Sequence, residues 1–548
     1  MKPPIKVFKT DFFFYLSTTL LTVFLGFLPL IYNLLTPVLS NKFNPLWDNW
    51  PYDFFYYLSI IKQGAQGSLQ VVSKYTIEPQ NPVFLRFSYA LLGFIGGKIL
   101  RFDPTFLYHL YRIIFSFLNI FVCFLFLQCF LKGRNTRRLI FLLFLFAGPF
   151  YSINPGQSIT KFFQNFLPWA TFLSTFRRNT FLPHNLLGNF SLILGLFLFF
   201  YSLDQKKPKI TFLGAIILGF AGLDHPPSLI FSMILIALYT ISNQFLKIEK
   251  NQKRLYGYLF VFLVPAILFC IYIYKASSLF PWNIQSQTRL RVGSFFEVLL
   301  ALGPTSILSL LSIVFIQKIK KSRILTLSFL WVSLSLFLTF VVYKLHLFAQ
   351  IRFLQVALPL PIAILSISFL KNLKISQKTL VFLTIFIIIG TLPGSFKDYY
   401  EQFRLIKSLS KESLDIPPMI PYIDYPSKST IEAIFFLEKH TNPNQTVLSH
   451  FFAGNLIPAY SGNMVYFGHP TETYQFGTTK IENVIEFFSG KMNPQKAQEF
   501  LTKNKIKYVF YGVQEKNINP RFDIMTYNFL EKIFKNSEVS IFEFPYIK

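Results

Sequence analysis

Apolar residues recur in runs of about 20 along the first three quarters of the chain, a helix length that spans the hydrocarbon core of a bilayer. Short polar stretches separate them. Read in order, the runs predict about eleven crossings. The first covers residues 12–35 and the second 106–131. Residues 139–153 and 210–223 are short for the purpose. The last run covers 380–393. Beyond about Phe396 the apolar segments shrink to strand and helix length. Residues 431–439 have amphipathic-helix spacing. Residues 446–449, 464–467 and 508–511 read as buried strands, and 479–488, 494–503 and 522–534 as helices; 539–544 closes the chain. Strands alternating with helices predict a small α/β domain with a mainly parallel sheet. The expected organisation is an α-helical polytopic membrane domain over residues 1–396, with a large first outer loop at 36–104, and a soluble α/β domain over 397–548.

Charge orients this scheme. Lys2, Lys6 and Lys9 precede the first run, which puts the N-terminus in the cytoplasm. The cluster Lys132, Arg134, Arg137 and Arg138 is the strongest orientation signal in the chain. It lies inside only if residues 82–100 do not cross. That segment is therefore read as interfacial, its Gly93, Gly96 and Gly97 suiting close packing. The alternation then carries residues 397–548 to the extracytoplasmic face of the plasma (inner) membrane. Trp47, Trp50, Trp169 and Trp282 all fall in loops placed outside, as an aromatic belt requires. The net charge of +28 is spread through short basic turns, with no basic domain, so nucleic acid is excluded as a partner. Cys123, Cys129 and Cys270 lie inside apolar runs and read as small core residues.

The first outer loop is the richest in chemistry. Asp48 and Asp53 sit among Trp47, Trp50, Tyr52, Phe54, Phe55, Tyr56 and Tyr57, where a carboxylate pays a desolvation cost. Such placement suits a base or a metal ligand; the alternative is that both cap a helix from about residue 54 to 63. Glu78, before Pro79, is a further candidate. His184 and His225, each beside proline, fall at outer span ends. Arg352, Arg112 and Arg178 fall on the same face and suit a lipid-linked phosphate. Nucleotide-binding glycine patterns and HExxH are absent from the sequence, so a transferase needs a preactivated donor from the membrane.

This arrangement resembles the GT-C-type membrane glycosyltransferases, among them the dolichyl-phosphate-mannose protein mannosyltransferases and the lipid A aminoarabinose transferases. The more local resemblance is to a bacterial branch. It rests on Tyr52-Asp53 to Tyr57, Gln63 to Gly67, Tyr75 to Pro79, Pro183-His184, His225-Pro226, Gln350 to Phe353, and Gly468-His469 with Glu472-Thr473. The resemblance implies transfer of a sugar from a polyprenyl-phosphate carrier to an acceptor on the outer face. An aspartate of the first outer loop acts in that group as catalytic base or metal ligand; the role falls on Asp53, with Asp48 second. Arginines would neutralise the leaving phosphate, and Tyr57, Glu78, His184 and His225 would complete the site. Members of the group often carry an acidic residue where Tyr56 stands, so a divalent metal stays open, as do the sugar and the acceptor. Two other readings compete: a transporter or lipid flippase, and a non-catalytic sensor using Gly468-His469 and Glu472.

Overall fold

A computed structural model of the chain describes residues 5–48, 50–156, 163–167, 170–287, 292–341, 350–410 and 425–545. Trp169, used above for orientation, lies outside the described residues. The chain forms two compact units. The first comprises Met1–Pro29, Tyr111–Lys275 and Ser286–Phe403; the second comprises Leu30–Leu110, Ala276–Gln285 and Arg404–Lys548.

The protein is a multi-pass membrane protein. Among the described residues seven helices are long and apolar enough to cross a bilayer: Asp11–Leu35, Pro104–Phe130, Pro183–Gln205, Pro226–Leu246, Gln252–Ser278, Arg323–Phe340 and Gln377–Leu409. An eighth crossing is counted if Phe295–Leu302 and Pro304–Ile319, bent by 107° at Gly303, form one span. Three predicted crossings are shorter helices. Pro208–Gly222 has 15 residues, Pro359–Asn372 has 14 and Arg134–Phe146 has 13. At 1.5 Å per residue each falls short of a hydrocarbon core about 30 Å thick. The run at 139–153 is corrected further: its helix ends at Phe146, and Tyr151–Ile153 pairs antiparallel with Phe163–Asn165. The boundary expected at 396/397 falls within one continuous helix, Gln377–Ser410.

Asp11 has a fully buried carboxylate held by Arg134 and Arg138, each at 2.6 Å, and by Arg137 at 3.4 Å. The basic cluster read above as an orientation signal thus also has a structural anion. Arg323 similarly joins Asp204 and Glu249.

The second unit holds a five-stranded sheet. Its strands are β1 (Thr446–Leu448), β2 (Met464–Val465), β3 (Ile506–Tyr511), β4 (Glu531–Lys535) and β5 (Ser540–Glu543). The order is β2-β1-β3-β5-β4. β1 pairs parallel with β2 and β3, whereas β5 pairs antiparallel with β3 and β4. The sheet is therefore mixed rather than mainly parallel. The stretch 522–534, expected to be helical, holds a short 3-10 turn at Ile524–Thr526 and then β4. Asn536 N donates to Val539 O in the β4–β5 turn; so short a connection makes a hairpin, since a parallel crossover needs a dozen residues or more. Helices at Lys428–His440, Ile481–Phe488 and Pro494–Lys503 lie close to their predicted places. Ser427 caps the first and Asn493 the third.

The first outer loop contributes two packed helices to the same unit. Pro51 opens the helix Pro51–Ala65, and Asp53 lies in its first turn, where a carboxylate suits the helix dipole. The N-cap is Trp50, which makes no side-chain cap bond, so the helix is not capped by either aspartate in the expected way. The segment read as interfacial is helical over Phe87–Ile99, its last turns wound as a π-helix. The two helices meet at glycines. A Cβ on Gly64 would lie 2.1 Å from Ala90 O, and one on Gly93 would lie 1.9 Å from Ile61 O.

Candidate functional site

The glycine crossing seats the Pro51–Ala65 helix firmly. Phe54, Phe55, Leu58, Ile60 and Ile61 are almost fully buried. Tyr57 is buried as well, its ring stacked on Tyr89 at 4.9 Å and 5.9 Å from the Arg86 guanidinium. Asp53 leaves this packed surface: half of its side-chain area is exposed. Asp48, before the helix, is 9% exposed. A rigid helix thus presents one half-exposed carboxylate from its first turn.

A tight turn after β2 meets that carboxylate. Thr473 N donates to His469 O at 3.0 Å, and the Thr473 hydroxyl accepts from His469 N at 3.0 Å and from Gly468 N at 3.2 Å. His469 is 2% exposed and faces the rings of Tyr52, Tyr56 and Tyr75 at 6.2, 6.0 and 5.3 Å. Its Nδ1 accepts from Thr471 N at 3.2 Å and Glu472 N at 3.3 Å. That assigns the proton to Nε2, which lies 4.0 Å from Asp53 Oδ1. Burial pulls the His469 pKa down to about 3, against an opposing effect of the Tyr52 main chain, so the ring is neutral.

Glu472, in the same turn, is 9% exposed. Burial pushes its carboxyl up to about 8; the Arg86 charge opposes this and the Asp53 charge adds to it. Glu472 is therefore protonated at neutral pH, a neutral acid in the turn that faces Asp53. Burial also drives the Tyr56 and Tyr75 hydroxyls well above their usual range. Tyr56 forms part of the wall around His469.

Glu78 belongs to a neighbouring network. It bonds Lys480 at 2.8 Å and accepts from the Thr76 hydroxyl. Lys480 is nearly buried, and Glu78 is the carboxylate that offsets its charge.

The other sequence candidates belong to the first unit. Arg112 is 1% exposed; its Nε donates to Thr180 O and Phe181 O at 3.1 and 3.2 Å, its Nη2 to Thr180 O at 2.6 Å, and it lies over Phe27 at 4.8 Å. Arg178 donates to the carbonyls of Leu173 and Phe144 at 3.0 and 3.4 Å. It lines a cavity of about 20 Å³ with Asn119, Asn179, Asn185, Asn189 and Gln355, room for a water rather than a sugar. Arg352, half-buried on a 3-10 turn, donates to Gln355 Oε1 at 3.3 Å. His184 and His225 are both buried and brought together, their rings 6.2 Å apart; His225 Nδ1 also lies 2.8 Å from Ser228 Oγ.

Sequence reasoning missed the place of His469 and Glu472. Their motif was visible, but nothing local linked it to Asp53. Among the described residues no group of three His, Cys, Asp or Glu side chains is placed to hold a metal ion. Asp53, His469 and Glu472 are not placed as a ligand set.

The fold is that of the GT-C-type polytopic membrane glycosyltransferases. The oligosaccharyltransferase AglB from Archaeoglobus fulgidus, in complex with an inhibitory peptide and a dolichol-phosphate, superposes with a TM-score of 0.54 at 13% identity, over 98% of this chain and 75% of that one. The apo form of the A. fulgidus oligosaccharyltransferase gives 0.55 at 12% identity, over 99% and 75%. ArnT from Cupriavidus metallidurans, bound to undecaprenyl phosphate, gives 0.52 at 11% identity, over 97% and 98%. At these identities the likeness is one of fold. No protein-family model and no curated protein sequence matches the chain.

Proposed function

We propose that this protein is a glycosyltransferase that moves a sugar from a polyprenyl-phosphate carrier to an acceptor hydroxyl on the extracytoplasmic face, with Asp53 as catalytic base. The observation that carries the reading is one half-exposed carboxylate, presented by a rigid helix beside a neutral histidine and a neutral buried acid. Solved proteins of the same fold bind dolichol-phosphate or undecaprenyl phosphate, which supports a lipid-phosphate donor.

In the reaction Asp53 takes the proton of the acceptor hydroxyl. The hydroxyl oxygen attacks the anomeric carbon, and the bond from that carbon to the carrier phosphate breaks. The electron pair leaves on the phosphate oxygen, whose growing charge a cation offsets; the sequence candidate for that role is Arg352. Arg112 and Arg178 direct donors to backbone carbonyls and hold the segment that leads into the His184 helix. The basic turns support a cytoplasmic N-terminus and an extracytoplasmic place for residues 397–548.

The test is sugar release from a polyprenyl-phosphate donor by the purified protein in nanodiscs. Asp53→Asn keeps the shape and removes the base, and is expected to lower the rate about 10²–10⁴-fold while donor binding persists. Equal turnover in Asp53→Asn overturns the assignment of the base. No turnover by the parent with any polyprenyl-phosphate donor overturns the function.

A further inference from the structure

We infer that His469 is a positioning residue for the base, its Nε2–H holding the Asp53 carboxylate from across the site. The inference rests on the reading of Asp53 as the base. The turn that carries the ring is over-determined. Two backbone N–H groups occupy Nδ1, so the donor must be on the other nitrogen, which faces the Tyr52 main chain and, at 4.0 Å, Asp53 Oδ1. The ring has little freedom to rotate away. Tyr52 and Tyr56 stand against it from the helix that carries Asp53, and Tyr75 from the chain that follows.

The backbone beneath the turn is equally constrained. A Cβ on Gly468 would lie 2.3 Å from Gly454 O, and one on Gly454 would lie 2.0 Å from Phe467 O. Asn455 Nδ2 donates to Gly468 O at 3.3 Å. The Phe451–Tyr460 helix therefore fixes the height of the histidine, and Tyr75 donates to Asn455 O at 3.0 Å from the loop side. The separation of 4.0 Å exceeds a direct hydrogen bond, and such contacts tighten when substrate closes the site. A donor at this point selects the carboxylate rotamer that faces the acceptor and stabilises its charge. The buried, neutral ring does so without adding a positive charge that would weaken the base.

Two measurements on the full-length protein in nanodiscs test this. The first is nitrogen NMR of ¹⁵N-histidine, with His469 assigned by its loss in His469→Gln. The expected result is an Nε2-protonated neutral ring that is still neutral at pH 5, and an Nε2 resonance that moves in Asp53→Asn. An Nδ1-protonated ring, or a resonance unmoved by Asp53→Asn, overturns the pairing whether or not turnover is found. The second is kinetics. Gln places an amide N–H near the position of Nε2, so His469→Gln is expected to keep kcat within a few-fold. His469→Leu is expected to lose about 10²-fold in kcat with little change in KM. Equal kcat in the two variants overturns the positioning role. A parent without turnover strikes the proposed function instead, and the NMR result then decides the pairing.

Discussion

His469 Nε2 stands 4.0 Å from Asp53 Oδ1, so the turn after β2 and the helix Pro51–Ala65 face one another at a carboxylate. The neutral acid Glu472 completes the arrangement from the same turn as His469. The histidine and the acid respond to pH in opposite senses, and this gives the site a signature that can be measured without substrate.

Glu472 is expected to make the fold less stable as pH rises. Its folded pKa of about 8 lies above the ordinary carboxyl value of 4.5. Between those values the unfolded chain has lost the proton and the folded chain keeps it. Stability is therefore fully present below the unfolded value and lost as pH rises through the folded one, by up to a few kcal/mol. Glu472→Gln removes this dependence. Melting temperatures of parent and variant should converge near pH 4.5 and separate in favour of Glu472→Gln toward pH 8. Parallel curves across that range would contradict a buried neutral acid.

Gly93→Ala is expected to break the helix crossing that presents Asp53. The new Cβ would lie 1.9 Å from Ile61 O, a backbone atom that cannot swing aside. The cost is about 1–3 kcal/mol or more. Gly257→Ala is the control, because nothing lies within 4 Å of the place its methyl group would take. Thermal unfolding should show a loss in the first variant and none in the second, with turnover falling alongside the first.

Glu78→Gln leaves Lys480 buried beside a neutral amide. Lys480 is only 4% exposed in its side chain, while Glu78 is 28% exposed. Discounting for that exposure, the loss is about 1–3 kcal/mol, below the full cost of splitting a buried pair. Lys480→Met in the same chain should restore most of it. Recovery of melting temperature in the double variant, with turnover recovering in step, marks Glu78 as structural. A rate that stays low in a re-stabilised double variant would return Glu78 to the chemistry.

Arg352 and Arg112 should separate in a lipid-binding assay. Arg352→Ala is expected to weaken polyprenyl-phosphate binding about 10-fold or more, the scale of one charged hydrogen bond. Arg352→Lys should recover only part, since the ammonium lacks the planar fork. Arg112→Ala strips donors from the Thr180 and Phe181 carbonyls and should chiefly lower stability, by about 1–3 kcal/mol. Unchanged lipid affinity in both Arg352 variants would remove Arg352 from the donor site.

Much of the fold could be read along the chain. Apolar length marked the membrane helices, because each run is matched to the hydrocarbon on its own. It failed where helices are short: Arg134–Phe146 ends before the apolar run does, and Pro208–Gly222 does not reach bilayer length. The sheet was misread at its edge, where pairing with β5 draws Glu531–Lys535 into a strand despite helix-like spacing. Asp53 was found because its aromatic neighbours are adjacent in sequence, and the structure puts it on a helix held by Gly64 and Gly93.

The sequence by itself determined the membrane character, the presence of a terminal α/β segment and a carboxylate, Asp53, set among aromatic rings. Each depends on residues close together in the chain, whose hydrophobicity and turn chemistry act locally. Only the tertiary structure decided which partner that carboxylate has. His469 and Glu472 reach Asp53 through the packing of β2, the Phe451–Tyr460 helix and the first outer loop, and their protonation follows from burial that no local pattern encodes.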